Sequence, residues 1–124
     1  MLIDVSHLVV QTAGDEALQR EILALFEGQM RDVARNLQCL ADVDPASLLL
    51  VLHRSRGAAL AIGAFGLGEE LALVEAKLAS GTSILALTDE IGALRERIVE
   101  AAEHASSLIA ARPHGGLAKA AESG

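Results

Sequence analysis

From Ile84 onward, apolar residues return at alternating steps of three and four: Ile84, Leu87, Ile91, Leu94, Ile98, Ala101, Ala105 and Leu108. That period holds one stripe of a long helix against neighbouring helices, so this part of the chain is committed to a helix-packed core. The remainder agrees. Leu and Ala dominate, the only aromatics are Phe26 and Phe65, and strand-type alternation is absent. Such a chain suits helix-on-helix packing and disfavours a sandwich or barrel, where aromatic and β-branched residues line the pleated faces.

Capping residues divide the rest. Asp4 can cap a short helix to about Val10, stopped at Thr12-Ala13-Gly14, and Asp15 can cap a long one reaching about Ala41. On the long helix Leu18, Ile22, Leu25, Phe26, Val33, Leu37 and Leu40 form the apolar stripe. Glu16 with Arg20, and Glu27 with Arg31, are spaced for ion pairs. Asp44-Pro45 is an N-cap followed by proline at the first helical position, opening a helix to about Ile62 where Gly63 can end or bend it. A further helix spans about Phe65 to Ala79 and closes at Ser80-Gly81; the last begins near Ser83. The expected fold is all-α: an antiparallel up-down four-helix bundle with a short extra N-terminal helix, one domain over residues 1–112. Residues 113–124, rich in Gly and Ala, have little to bury and are expected to be disordered.

Bulk properties exclude several functions. At 124 residues the chain can bury one core without metal or disulfide support. A net charge of −7 weighs against nucleic acid, which demands clustered Lys and Arg. The single cysteine, Cys39, permits no internal disulfide and reads as a buried, inert thiol in a reducing compartment. No secretory leader or membrane-spanning run is visible, so a cytoplasmic protein that does not enter the membrane is expected.

The helix opened by Asp44 is where chemistry concentrates. At about 100° per residue, Leu48, Leu52, Ser55, Ala59 and Ile62 share one side, which must face the core. Ser55 can bond back to a carbonyl one turn earlier. His53 lies opposite, with Leu49, Leu50, Arg56, Gly57 and Leu60 on its face. Arg56 puts a cation beside the imidazole and Gly57 removes a side chain that would crowd it. Mid-helix glycine costs roughly 1 kcal/mol relative to alanine, so Gly57 points to a need for close approach. Leucines around a reactive polar group read as a docking surface.

The run His53-Arg54-Ser55-Arg56-Gly57, with Gly63 six residues beyond, resembles the signature of histidine phosphotransfer (HPt) domains: His-x-x-Lys/Arg-Gly, then Gly six further on. The likeness extends through Leu67–Glu75, and Ile3-Asp4, His7-Leu8, Gln11-Thr12 and Gly14-Asp15 look like the opening of small bacterial HPt proteins. The resemblance implies a four-helix bundle that accepts a phosphoryl group on His53 from a receiver-domain aspartyl phosphate and passes it to another receiver. It assigns Arg56 to electrostatic support, Gly57 to close approach, and Leu49, Leu50 and Leu60 to partner binding. It also implies a monomer without cofactor or metal of its own, Mg²⁺ coming from the receiver, and no kinase or ATPase activity. The partners implied are receiver domains of response regulators or hybrid sensor kinases.

Two residues depart from the family pattern: Ser55 stands where Leu is usual, and Leu52 where Ala is common. The residues also allow a kinase dimerisation-and-phosphoacceptor hairpin, although Arg54-Ser55-Arg56 follows the histidine where that family has Glu and a Thr-Pro turn. A helical interaction module without phosphotransfer chemistry is the remaining reading. His7, His104 and His114 lack the cation-and-glycine setting and read as surface residues. Glu69, Glu70, Glu75 and the Glu96/Glu100/Glu103 series read as solvated faces.

Overall fold

The computed structural model describes residues 2–112. Within them the chain forms α1 (Val5–Gln11), α2 (Glu16–Asn36), α3 (Pro45–Ile62), α4 (Phe65–Ala79), one 3₁₀ turn (Leu85–Leu87) and α5 (Thr88–Ala111), with no strand. The expected disordered tail, residues 113–124, and His114 within it lie outside the described residues. No described helix is long and apolar enough to cross a membrane.

Capping chemistry sets three of the starts. The carboxylates of Asp4, Asp15 and Asp44 accept from the backbone N–H groups of His7, Leu18 and Ser47 at 3.1–3.3 Å. Each meets a donor that the first helical turn would otherwise leave unpaired. Helix α3 ends as its sequence demands. Gly63 takes φ of +92°, its N–H donates to Leu60 and that of Ala64 to Ala59, which is a Schellman stop. This reversal sends α4 back along α3.

Helices α2 and α5 pack extensively on each other, as do α3 and α4, while α2 against α3 and α4 against α5 complete the enclosure with thinner seams. The centre is aliphatic: Leu23, Met30, Leu52, Ile62, Leu71, Ile91, Leu94 and Ile98 are almost wholly buried. The core face expected of α3 is the one observed, with Leu48, Leu52, Ser55, Ala59 and Ile62 buried. Ser55 Oγ donates to the Val51 carbonyl at 2.7 Å, which satisfies the hydroxyl inside the helix's own turn.

Several expectations need correction. Helix α2 stops at Asn36 rather than Ala41. After Leu37 the chain tightens through a bond from Gln38 N–H to Arg35, and buried Leu37 with half-buried Leu40 cover the end of the core. Its buried stripe is Gln19, Leu23, Phe26, Met30, Ala34 and Leu37, and Leu18 and Leu25 face outward. Gln19 can occupy that stripe because its amide is paired. Its Nε2 donates to Thr12 Oγ1 at 3.0 Å, and its Oε1 accepts from Arg112 Nε at 2.8 Å. Glu27 and Arg31 form their pair, but Glu16 and Arg20 do not. Near the last helix, Ser83 Oγ accepts from Ala86 N–H and starts only the 3₁₀ turn, so α5 begins at Thr88. Cys39 is exposed, because it falls in the loop after α2 rather than on its buried side.

Histidines 7 and 104 are not idle surface residues. His104 Nδ1 accepts from the Ile3 N–H at 3.2 Å, and His7 stacks edge-on against Phe65 with its Nε2 3.2 Å from the Ala61 carbonyl. Together with the bond from Asp4 N–H to the Gly63 carbonyl at 2.9 Å, they hold the amino-terminal segment over the α3–α4 turn. Ile3 is thereby fully buried.

Candidate functional site

Helix α3 presents His53 outward on the side that faces α4, and α4 places Glu75 level with it. His53 Nδ1 lies 3.0 Å from Glu75 Oε2. A carboxylate can only accept, so Nδ1 carries the hydrogen, and in the neutral ring Nε2 keeps the lone pair. Arg56 Nη2 is also 3.3 Å from the same Nδ1. A ring nitrogen that donates to Glu75 cannot accept from Arg56. The shorter, charge-assisted contact is therefore the hydrogen bond, and Arg56 contributes its charge instead. Its Nη1 stands 3.6 Å from Glu75 Oε1, an oxygen that is buried and has no hydrogen-bond donor.

Exposure separates the roles. The His53 side chain is 59% exposed, whereas that of Glu75 is only 19% exposed. The imidazole is open and the carboxylate beside it is sheltered. Beside the imidazole lies an open cleft of about 380 Å³, lined by His53, Arg56, Gly57, Leu60, Gly68, Glu69 and Ala72. A Cβ on Gly57 would meet nothing within 4 Å, so no contact inside this chain requires glycine there. The bare backbone leaves room beside the imidazole.

The residues singled out in the sequence therefore come together unequally. His53, Arg56, Gly57 and Leu60 share the cleft, and Leu50 is exposed one turn before His53. Leu49 is half-buried and packs against the core, which leaves it less surface for a partner. Gly63 does not line the cleft; it turns the chain from α3 into α4.

The sequence puts Glu75 on a solvated face, whereas in the structure it is largely sheltered and its Oε2 meets His53 Nδ1. Spacing rules could not find it, since the two residues are 22 apart on different helices. One signal was present. Glu75 directly follows Val74 on a helix whose buried positions are Leu67, Gly68, Leu71, Val74 and Leu78, so it borders the packed side. Gly68, Glu69 and Ala72 were also missed as cleft residues. Among the described residues no three His, Cys, Asp or Glu side chains are grouped as metal ligands would be. Compared with family models, curated proteins and solved structures, the chain finds no match.

Proposed function

We propose that the chain is a histidine phosphotransfer protein: an antiparallel up-down four-helix bundle, with α1 added, that relays a phosphoryl group through His53 between receiver domains. The supporting observation is the held orientation of His53, with Nδ1–H bound to Glu75 and Nε2 free in an open cleft.

The chemistry follows from that orientation. The Nε2 lone pair attacks the phosphorus of a receiver's aspartyl phosphate. An N–P bond forms while the P–O bond to the aspartyl carboxylate breaks, and the carboxylate leaves with the electron pair. Nδ1 keeps its hydrogen, so the ring becomes a phosphoimidazolium whose positive charge faces the Glu75 carboxylate. Arg56 offsets charge on the transferring oxygens; positioning and electrostatics are the main levers in phosphoryl transfer. The receiver supplies the acidic pocket and Mg²⁺. Leu50 and Leu60 give it apolar footing, with a smaller share from Leu49. Return of the phosphoryl group to a second receiver is the same displacement in reverse.

Incubation with a panel of phosphorylated receiver domains tests the proposal. The expected product is a label on His53 that is lost in acid and survives alkali. A chain that no receiver labels would be an interaction module without this chemistry.

A further inference from the structure

The cleft around His53 has an apolar end that ordinary packing leaves unexplained. Leu60 lies seven residues beyond His53, about 10 Å along α3 at the usual helical rise. There it rests on Gly68 of α4: a Cβ built on Gly68 would come within 2.8 Å of Leu60 Cδ2. Bare backbone at Gly68 lets the leucine lie down, yet Leu60 stays 43% exposed. With Ala72 beside it, the pair forms an apolar floor that nothing among the described residues covers.

One charge borders that floor. Helix α4 carries three carboxylates. Glu75 holds His53, and Glu70 stands 4.0 Å from Arg97 of α5. Glu69 is exposed, lines the cleft, and has neither an ion pair nor a hydrogen bond among the described residues. The cleft is thus polarised along its length, with Arg56 beside the imidazole and an unpaired anion at the apolar end.

We infer that Glu69 is a specificity-determining residue that selects receiver domains bearing a Lys or Arg about 10 Å from their phosphorylated aspartate, next to an apolar contact that covers Leu60. This rests on the phosphotransfer reading and adds to it which receivers are accepted. The spacing is set by the register of α3 on α4, in which His53 faces Glu75 and Leu60 faces Gly68. A cation placed there pairs with Glu69 as Nε2 reaches the phosphorus. A receiver with an acid at that point brings two like charges together at the edge of the interface, which slows association.

The test compares the unchanged chain with Glu69→Lys and Glu69→Gln, using a panel of phosphorylated receivers and, separately, phosphoramidate. That small donor phosphorylates an accessible histidine without docking a protein. Phosphoramidate labelling of His53 is expected to be the same in all three proteins. For receivers that serve the unchanged chain, Glu69→Lys is expected to lower kcat/KM roughly tenfold, through KM and most strongly at low salt. Glu69→Gln is expected to fall between the two and to flatten the salt dependence. Reversing the opposing cation on the receiver should restore transfer to Glu69→Lys. Transfer to Glu69→Lys within about twofold of the unchanged chain for every receiver would overturn the inference. So would a parallel loss of phosphoramidate labelling, since Glu69 would then act on the imidazole. If the unchanged chain takes label from phosphoramidate but from no receiver, the phosphotransfer reading falls as well.

Discussion

His53→Gln is expected to abolish phosphoryl uptake while leaving the fold intact, and Glu75→Ala is expected to slow uptake by roughly 10–100-fold without moving the label. The first outcome follows from chemistry: an amide nitrogen has no comparable lone pair. Because the His53 side chain is 59% exposed, its replacement should change stability by no more than about 0.5 kcal/mol. The second outcome follows from the contest for Nδ1. Glu75 accepts its hydrogen at 3.0 Å, while Arg56 Nη2 waits at 3.3 Å as a donor. Remove the carboxylate and Arg56 becomes the neighbour of Nδ1. The tautomer with hydrogen on Nε2 is then favoured, and the lone pair turns away from the cleft. Glu75→Gln separates two effects, since its amide oxygen can still accept from Nδ1–H but brings no charge to face the phosphoimidazolium. Its rate is expected between those of the unchanged chain and Glu75→Ala. Nitrogen NMR of the His53 ring would report the tautomer directly. An unchanged tautomer in Glu75→Ala would show that Glu75 is not what orients the ring.

Gly63→Ala is expected to destabilise the protein by about 2–4 kcal/mol, whereas Gly14→Ala should cost only about 1–2 kcal/mol. Both glycines have positive φ, +92° and +78°, so both substitutions force an L-residue into the left-handed region. Only at Gly63 is there an added collision. A Cβ there would stand 2.9 Å from the Asp4 carbonyl and 3.3 Å from Cβ of both Asp4 and His7. Relief of that collision must move backbone, which breaks the bond between Asp4 N–H and the Gly63 carbonyl and loosens Ile3 from the core. Urea unfolding of the two variants measures the difference. Equal losses would mean that Gly63 serves only the turn and not the seating of α1.

The elements that could be read from the chain are those specified by neighbouring residues. Asp44-Pro45, Asp15 and Gly63 act on their own turns, so α3 and the start of α2 fall where local rules put them. The face of α3 was legible although leucines lie on both sides, because His53, Arg54 and Gly57 all fall away from the side of Leu48, Leu52, Ser55, Ala59 and Ile62. On α2 the phase was obscured: a polar Gln19 sits in the buried stripe, while Leu18 and Leu25 lie outside it. Gln19 is accepted only through Thr12 and Arg112, and a partner 93 positions away is invisible to spacing rules. The same holds for the site. Arg56 and Gly57 are neighbours of His53 on one helix, but Glu75, Gly68 and Glu69 enter only when α4 folds back. The role of His104 is hidden for the same reason, its partner Ile3 being 101 residues distant.

The pairing of helices favours one order of assembly. The α3–α4 contact joins helices separated by only Gly63 and Ala64, whereas the more extensive α2–α5 contact joins the two long helices farthest apart in the chain. Loop closure costs more for the distant pair, so the α3–α4 hairpin can form first and template the rest. His53 and Glu75 both belong to that hairpin. The contact between imidazole and carboxylate would then be assembled by the most local folding event in the molecule, before the chain has closed its core.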